Sequence, residues 1–351
     1  MEVVELNNGH KDQYHNFLIN SPHKDILQSW LWGEIKSKVN WKVKRLGFFK
    51  KGILIGTAQI LERKLFAGLS LFYVPRGPIT DWDNLNLAEE LLDSLKEFFL
   101  KKIKNRKTLF LRLEPPVEKK EDLREILEKA GFKKYFKTVQ PPSTLLIDLT
   151  SSEEELFKNF RRTARNLIYR SEKEGVIIDA LERSQITQNH LRGFYNLYRE
   201  TGKRFSFPLR PFKQFALLLE AADYGHAVRM YIAKAKGLVL AYGLVLVLGD
   251  KAFYIWGGTG RHEYYSKFFN YGYIWGMLKE LKKIGVKTFD FWGLGPLDNK
   301  NHPWYGFSLF KTAFGGRRFN YIGAFDLPVS KFYPAFKIVD RIITPKYRAE
   351  S

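Results

Sequence analysis

Apolar residues recur along this chain at two periods, and the period switches often enough to describe an α/β protein. From Asn84 to Lys104 they fall at Leu85, Leu87, Leu91, Leu92, Leu95, Phe98 and Phe99, a helical stripe. A continuous apolar run from Leu109 to Leu113 follows and stops at Glu114-Pro115-Pro116, which predicts a buried strand. Earlier runs read the same way: VKRLGFF, ILIGTAQILERK and LSLFYVPRGPI, the first two joined by a hairpin turn at Lys51-Gly52. Gln28 to Lys36 predicts a helix whose Trp32, Ile35 and Val39 face a core, with Lys36 beside them.

The second half repeats this pattern. LKEFFLKKIKNRKTLFLRLEPP (95–116) and LKELKKIGVKTFDFWGLGP (278–296) share one layout: amphipathic helix, basic turn, Lys-Thr, apolar strand, proline. Pro116 and Pro296 are 180 positions apart, as are Lys107 and Lys287. FFKKGILIGTAQI is echoed by IAKAKGLVLAYGLVLV, each a hairpin with a glycine turn. Two α/β units of roughly 150–180 residues follow from this, joined at Gln140-Pro141-Pro142-Ser143-Thr144.

Polar residues interrupt the second unit in a way that invites chemistry. A helix capped by Ser152, with Glu153, Glu154 and Glu155 in its first turn and Phe157 as an early core residue, runs into FRRTARNLIYRSEKEGV. The arginines at 161, 162, 165 and 170 either pair with Glu172 and Glu174 or face an anion. TGKRFSFPLRPFKQF sets Arg204 and Arg210 six apart among aromatics, a spacing suited to phosphate oxygens. FYIWGGTG ends a strand with Tyr254 and Trp256, either core aromatics or a wall for a uridine or sugar face. The stretch from Lys287 to Tyr321 reads as strand, loop, strand: Thr288 to Trp292, a break at Gly293, Gly295 and Pro296, then Phe307 to Lys311. Gly315 and Gly316 follow, a pair that would let the backbone approach a ligand. The tail places Phe332, Phe336, Ile338, Ile342 and Ile343 on an amphipathic helix that either docks on a domain or lies on a membrane.

Composition narrows the options. At 351 residues, 45% hydrophobic and 27% charged, the chain has an ordinary globular makeup with room for two domains. No apolar run is long enough to span a bilayer, and the N-terminus lacks the apolar core of a signal peptide, so the expected location is cytoplasmic. Zero cysteines exclude disulfides, thiol nucleophiles and thiolate metal sites, and the seven scattered histidines form no HExxH. There is no P-loop, no G-x-G-x-x-G turn after a strand and no G-x-S-x-G elbow, so no cofactor is expected. A net charge of +21 favours RNA, nucleotide phosphates or an anionic membrane face, unless it only reflects solubility or a hot habitat.

FDFWGLGP, HPWYGFSLFKTAFGG and YIGAFDLP, in that order, resemble the closing signature of the FemABX family of peptidoglycan-bridge aminoacyltransferases. The resemblance extends over nearly the whole chain and takes in the Gln28–Lys36 segment, the arginine-rich helix and the Arg204–Phe215 segment. It implies two tandem GNAT-like (acetyltransferase-like) domains of α/β (α+β) class without the inserted coiled-coil arm of some members. The first would take residues 1–142 plus 318–351, its C-terminal helix packed back on it, and the second residues 143–317.

The reaction it implies moves an amino acid from aminoacyl-tRNA to the side-chain amine of a peptidoglycan-precursor peptide, UDP-linked or lipid-linked. Lys311 becomes the catalytic cation, dispensable for folding, and Glu114 the general base, although the family usually shows Asp-Pro where this chain has Glu-Pro-Pro. Lys36, Arg204, Phe207, Arg210, Tyr254 and Trp256 become acceptor-binding residues, and Arg161, Arg162 and Arg165 contacts to tRNA. A monomer is expected, with a peripheral contact to the inner membrane face as a further partner. The alternatives are an acyl-CoA-dependent N-acyltransferase, for which no pyrophosphate loop is present, and a non-catalytic RNA-binding protein.

Overall fold

The computed structural model describes residues 1–65, 68–205, 207–220 and 228–343. Ser206 of the arginine–phenylalanine segment and residues 344–351 of the expected C-terminal return lie outside the described residues. The chain divides into two compact units, one formed by Met1–Pro142 together with the chain from Asn320 onward, the other by Ser143–Phe319.

The first unit is built on one mixed sheet. Its strands run in the order Glu2–Glu5, Lys42–Lys50, Ile53–Lys64, Ser70–Val74, Thr108–Leu113, Phe325–Pro328 and Lys133–Lys134, with Ile79–Thr80 paired beside Ile53–Lys64. Ser70–Val74 and Thr108–Leu113 are parallel, and the helix Leu85–Phe98 between them buries Ala88, Leu91, Leu92 and Leu95. Asn84 starts that helix by accepting the amide of Leu87. The predicted Gln28–Lys36 helix is observed as a 3-10 turn, Ile26–Gln28, and a helix, Trp30–Ser37, because the Ser29 hydroxyl caps the amide of Trp32.

In the second unit the sheet order is Arg317–Asn320, Ser143–Asp148, Thr288–Asp290, Lys251–Thr259, Leu238–Leu248, Val228–Ala235 and Ile177–Glu182. Lys251–Thr259 and Thr288–Asp290 are parallel, with the helix Phe269–Lys283 between them, the counterpart of the strand–helix–strand passage in the first unit. The hairpins repeat as well. Lys51-Gly52 and Lys236-Gly237 both turn through left-handed φ angles, 51° and 77° in one and 47° and 78° in the other. Two positive angles match the twist of the flanking strands, and glycine supplies the second without strain. Helices cover both faces of the second sheet. Arg162–Lys173 and Phe269–Lys283 approach closely where Gly272 meets Ser171, and Gln188–Phe205 lies against the strand at Gly258.

The C-terminal strand is fastened by charge. Asp326 sits directly across from Arg112, whose Nε and Nη2 donate to its two carboxylate oxygens at 2.7 and 2.8 Å. Tyr333 adds a hydroxyl to Asp326 at 2.9 Å, and the Arg112 guanidinium lies 3.8 Å from the centre of the Tyr135 ring. Burial works against the Arg112 charge, but the Asp326 carboxylate more than offsets it and holds the guanidinium above its ordinary range. A buried pair that loses one partner leaves the other charge uncompensated. Asp326→Asn should therefore lower unfolding free energy by about 3–5 kcal/mol in urea titration, while Arg124→Ala, on an exposed helix face, leaves the midpoint where it was.

Candidate active site

The parallel strands of the second unit pair over three residues only, Lys251 with Thr288, Ala252 with Phe289 and Phe253 with Asp290. Beyond Asp290 the chain turns away, and the two strands part. The equivalent pair in the first unit stays joined through Val74 and Leu113, and the Glu114 amide continues the contact to the Val74 carbonyl at 3.2 Å. Parting strands at the carboxyl ends of a parallel pair leave room for a ligand.

The turn that leaves the sheet is strained and heavily tied. Trp292 has φ of 53° and Gly293 of 36°, and the left-handed region is costly for tryptophan. The Trp292 amide donates to Asp290 Oδ1 at 2.8 Å, and the Gly295 amide to the buried Ser308 hydroxyl at 2.8 Å. Leu294 is held on both sides by Ser143, amide to carbonyl at 2.8 Å and carbonyl to hydroxyl at 2.7 Å. The carbonyls of Phe291, Trp292 and Gly293 all accept from the Lys311 ammonium, at 3.1, 2.6 and 2.6 Å. Lys311 is half-buried as a residue, with its charged end turned into this cage. Desolvation pulls its pKa down to about 8, against the opposing pull of the Asp290 carboxylate.

The segment that carries Lys311 is helical, Tyr305–Lys311 followed by a 3-10 turn, Thr312–Phe314, where a strand was expected. Gly315 and Gly316 have φ of 70° and 83°. What they approach is the chain itself. A Cβ on Gly315 would sit 3.1 Å from the Asn159 carbonyl, and one on Gly316 would sit 2.6 Å from that of Leu146. The Arg161 amide donates to the Ala313 carbonyl at 2.9 Å, so the start of the arginine-rich helix lies beside the Lys311 segment.

Of the three arginines there, Arg161 and Arg162 are exposed. Arg165 turns back, donating through Nη1 to the carbonyls of Lys158 and Phe160 at 2.6 and 3.1 Å and closing the end of the helix Glu153–Asn159. Glu172 faces Lys279 at 3.8 Å. Arg204 donates to the Thr259 carbonyl and hydroxyl at 2.6 and 2.8 Å, fastening its helix to the strand end. Phe207 packs on the Tyr198 ring at 5.5 Å, and the Arg210 amide donates to the Tyr198 hydroxyl at 3.2 Å while its side chain is exposed.

Tyr254 and Trp256 do not form one wall. The ladder with Leu238–Leu248 matches Trp256 to Leu244 and Tyr254 to Val245, a β-bulge at Ile255 that sends the two rings to opposite faces. Tyr254 stacks towards Phe289, 6.3 Å between centroids, and Trp256 meets Phe215 edge-on at 5.3 Å. Burial raises the Tyr254 hydroxyl pKa to about 12.

In the first unit, the half-buried Lys36 holds its ammonium 4.6 Å from the centre of the Trp32 ring. Glu114 is fully buried. Its carboxylate accepts from the Tyr73 hydroxyl at 2.7 Å and the amides of Val139 and Gln140 at 2.5 and 3.1 Å. Those bonds tie down the stretch leading to Pro142. Sequence reading missed Asp290, Ser308 and Ser143, which hold the Lys311 turn. Only Asp290 left a signal, as a lone carboxylate in an apolar run.

Three carbonyls on one ammonium make Lys311 a structural member as well as a charge, so its loss should not be neutral for folding, in contrast to the expectation from sequence. Lys311→Met should cost about 2–4 kcal/mol in stability by leaving these acceptors unpaired, measured by urea denaturation.

Comparison with known proteins agrees with this architecture. The FemAB family matches residues 10–236 and 226–341. The lipid II:glycine glycyltransferase of Staphylococcus aureus (strain COL) is 23% identical over 418 aligned positions, covering 97% of this chain and 96% of that protein. With 351 residues here, the relative carries segments that have no counterpart in this chain. Among solved structures, FemX superposes with a TM-score of 0.82 at 22% identity, covering 98% of this chain and all of that one. A tandem GNAT protein from the clavulanic acid biosynthesis pathway superposes with a TM-score of 0.54 at 11% identity, covering 94% and 99%. Two tandem GNAT-like units and a family match along nearly its whole length make this chain a member of the FemAB family.

Proposed function

We propose that this chain is an aminoacyltransferase that moves an amino acid from aminoacyl-tRNA to the side-chain amine of a peptidoglycan-precursor peptide. The observation that carries the reading is the Lys311 ammonium, held where the parallel strands part, in a chain whose curated relatives are named glycyltransferases. The relatives' name specifies lipid II, which favours a lipid-linked acceptor over a UDP-linked one.

Aminolysis of the ester begins with the neutral amine attacking the aminoacyl carbonyl carbon. A C–N bond forms and the carbonyl oxygen becomes an oxyanion; the carbonyl then re-forms as the bond between the acyl carbon and the ribose oxygen breaks. The amine's proton ends on the ribose oxygen. Lys311 contributes by exchanging one carbonyl partner for the oxyanion, an interaction worth about 3–4 kcal/mol where a donor is preorganised. With its pKa lowered to about 8, the same ammonium is able to protonate the leaving oxygen and recover a proton from the attacking amine.

Lys36 and the outward-facing Arg210 bind acceptor phosphates in this reading. Arg204, Phe207 and Trp256 hold the framework around Arg210, and Tyr254 supports the strand on its other face. Arg161 and Arg162 meet tRNA phosphates, with Arg165 holding the helix end behind them. Glu114, its carboxylate taken up by three donors, acts by fixing the chain around it, and placement of the amine supplies the rate that a base would add.

The alternative of acyl-CoA-dependent transfer draws its support from the tandem GNAT neighbour. Charged total tRNA, muramyl-peptide precursors and mass analysis of the products decide between the two. The proposal expects an aminoacylated precursor that disappears on ribonuclease treatment. Transfer that survives ribonuclease and follows added acyl-CoA would overturn it.

A pH profile tests Lys311 itself. Its folded-state pKa lies below the ordinary lysine value, so the charged form is lost as pH rises through about 8. Hence kcat/KM should fall on that alkaline limb, and Lys311→Arg, which stays charged, should lose the limb even if its rate is lower.

A further inference from the structure

The C-terminal helix Tyr333–Ile343 satisfies only one of its faces. Inward, Tyr333 is buried, Phe336 packs on Phe110 at 5.1 Å, and Asp340 accepts from the Tyr135 hydroxyl at 2.7 Å and from Lys137 at 2.8 Å. Outward, at helical spacing, stand Ile338, Val339, Ile342 and Ile343, with Phe332 in the turn just before the helix, each between 55% and 77% exposed. A row of large apolar side chains facing water marks a surface that something covers.

The charged residues that flank the row along the described chain, apart from the inward Asp340, are of one sign. Lys331 precedes it, and Lys337 and Arg341 lie along its edge. The only acid of the helix, Asp340, is turned inward and engaged. A second copy of the chain would bring two basic rims together, within a protein already at +21. An anionic lipid surface instead offers both an acyl region for the isoleucines and phosphates for the rim. No described helix is long and apolar enough to cross a membrane, so the contact is one that lies on the surface.

We infer that this helix is a membrane-docking element that lays its outer row into the interface of an anionic bilayer. The inference stands on the exposed row and its basic edge and does not require the transferase reading. Flotation of the full chain with vesicles tests it, comparing phosphatidylglycerol mixed with phosphatidylcholine against phosphatidylcholine alone. Wild-type protein should float with the anionic vesicles and much less with the zwitterionic ones. The Ile338→Ser/Ile342→Ser/Ile343→Ser variant should bind at least about tenfold more weakly with an unchanged melting curve, since these side chains are exposed. Lys331→Gln/Lys337→Gln should lose the preference for anionic lipid. If the triple variant floats as well as wild type, net charge alone explains binding and the helix is not the element. Failure of the wild-type chain to float also overturns the inference. So does concentration-dependent self-association that the triple variant abolishes, which would assign the face to a second copy.

Discussion

Three consecutive carbonyl oxygens pointed into one small space repel each other, and a cation that donates to all three resolves that repulsion. In this protein the cation is Lys311, and the turn after Asp290 depends on it. The left-handed Trp292 that diverts the chain from its parallel neighbour is tolerated because the carbonyls on either side of it are tied. Asp290, Ser308 and Ser143 secure the amides and the remaining carbonyl of the same turn. The lysine that the proposed chemistry needs is thus also the one that shapes its surroundings. A site built this way cannot drift from its charge, since movement of either disturbs the other.

The two units use the same plan to different ends. In the first, the parallel strands remain paired to Leu113, and the next residue, Glu114, spends its carboxylate on Tyr73 and on backbone amides. In the second, the strands separate early, and the residues that follow form the cage. The same plan stays joined in the first unit and parts in the second. This explains why comparable positions, Glu114 and the turn after Asp290, carry such different work.

Much of this was legible in the sequence, and the misses have physical causes. The repeated strand–helix–strand passages and the Lys-Gly hairpins were readable because turn chemistry and apolar period are local. Tyr254 and Trp256 were not separable, because the bulge at Ile255 is set by the register of the neighbouring strand. The run from Phe307 to Lys311 read as a strand although it is helical, being too short and too apolar for its period to tell the two apart. Arg165 looked like a surface charge, but its partners are carbonyls of a preceding helix end. The hold on Glu114 was equally hidden: two of its three donors lie 25 and 26 residues further on, and no spacing rule reaches that far.

The place of Phe325–Pro328 in the first sheet sets an order of events during synthesis. That strand lies between Thr108–Leu113 and Lys133–Lys134, so the sheet that begins with the first residues is completed by some of the last. On the ribosome, every strand of the second sheet has emerged before the first can close. Until then Thr108–Leu113, buried along its whole length in the finished sheet, presents an open edge, and Arg112 waits without its carboxylate. Such an edge invites pairing with other chains. The half made first is therefore the half finished last, and it is this half that nascent-chain chaperones have reason to hold.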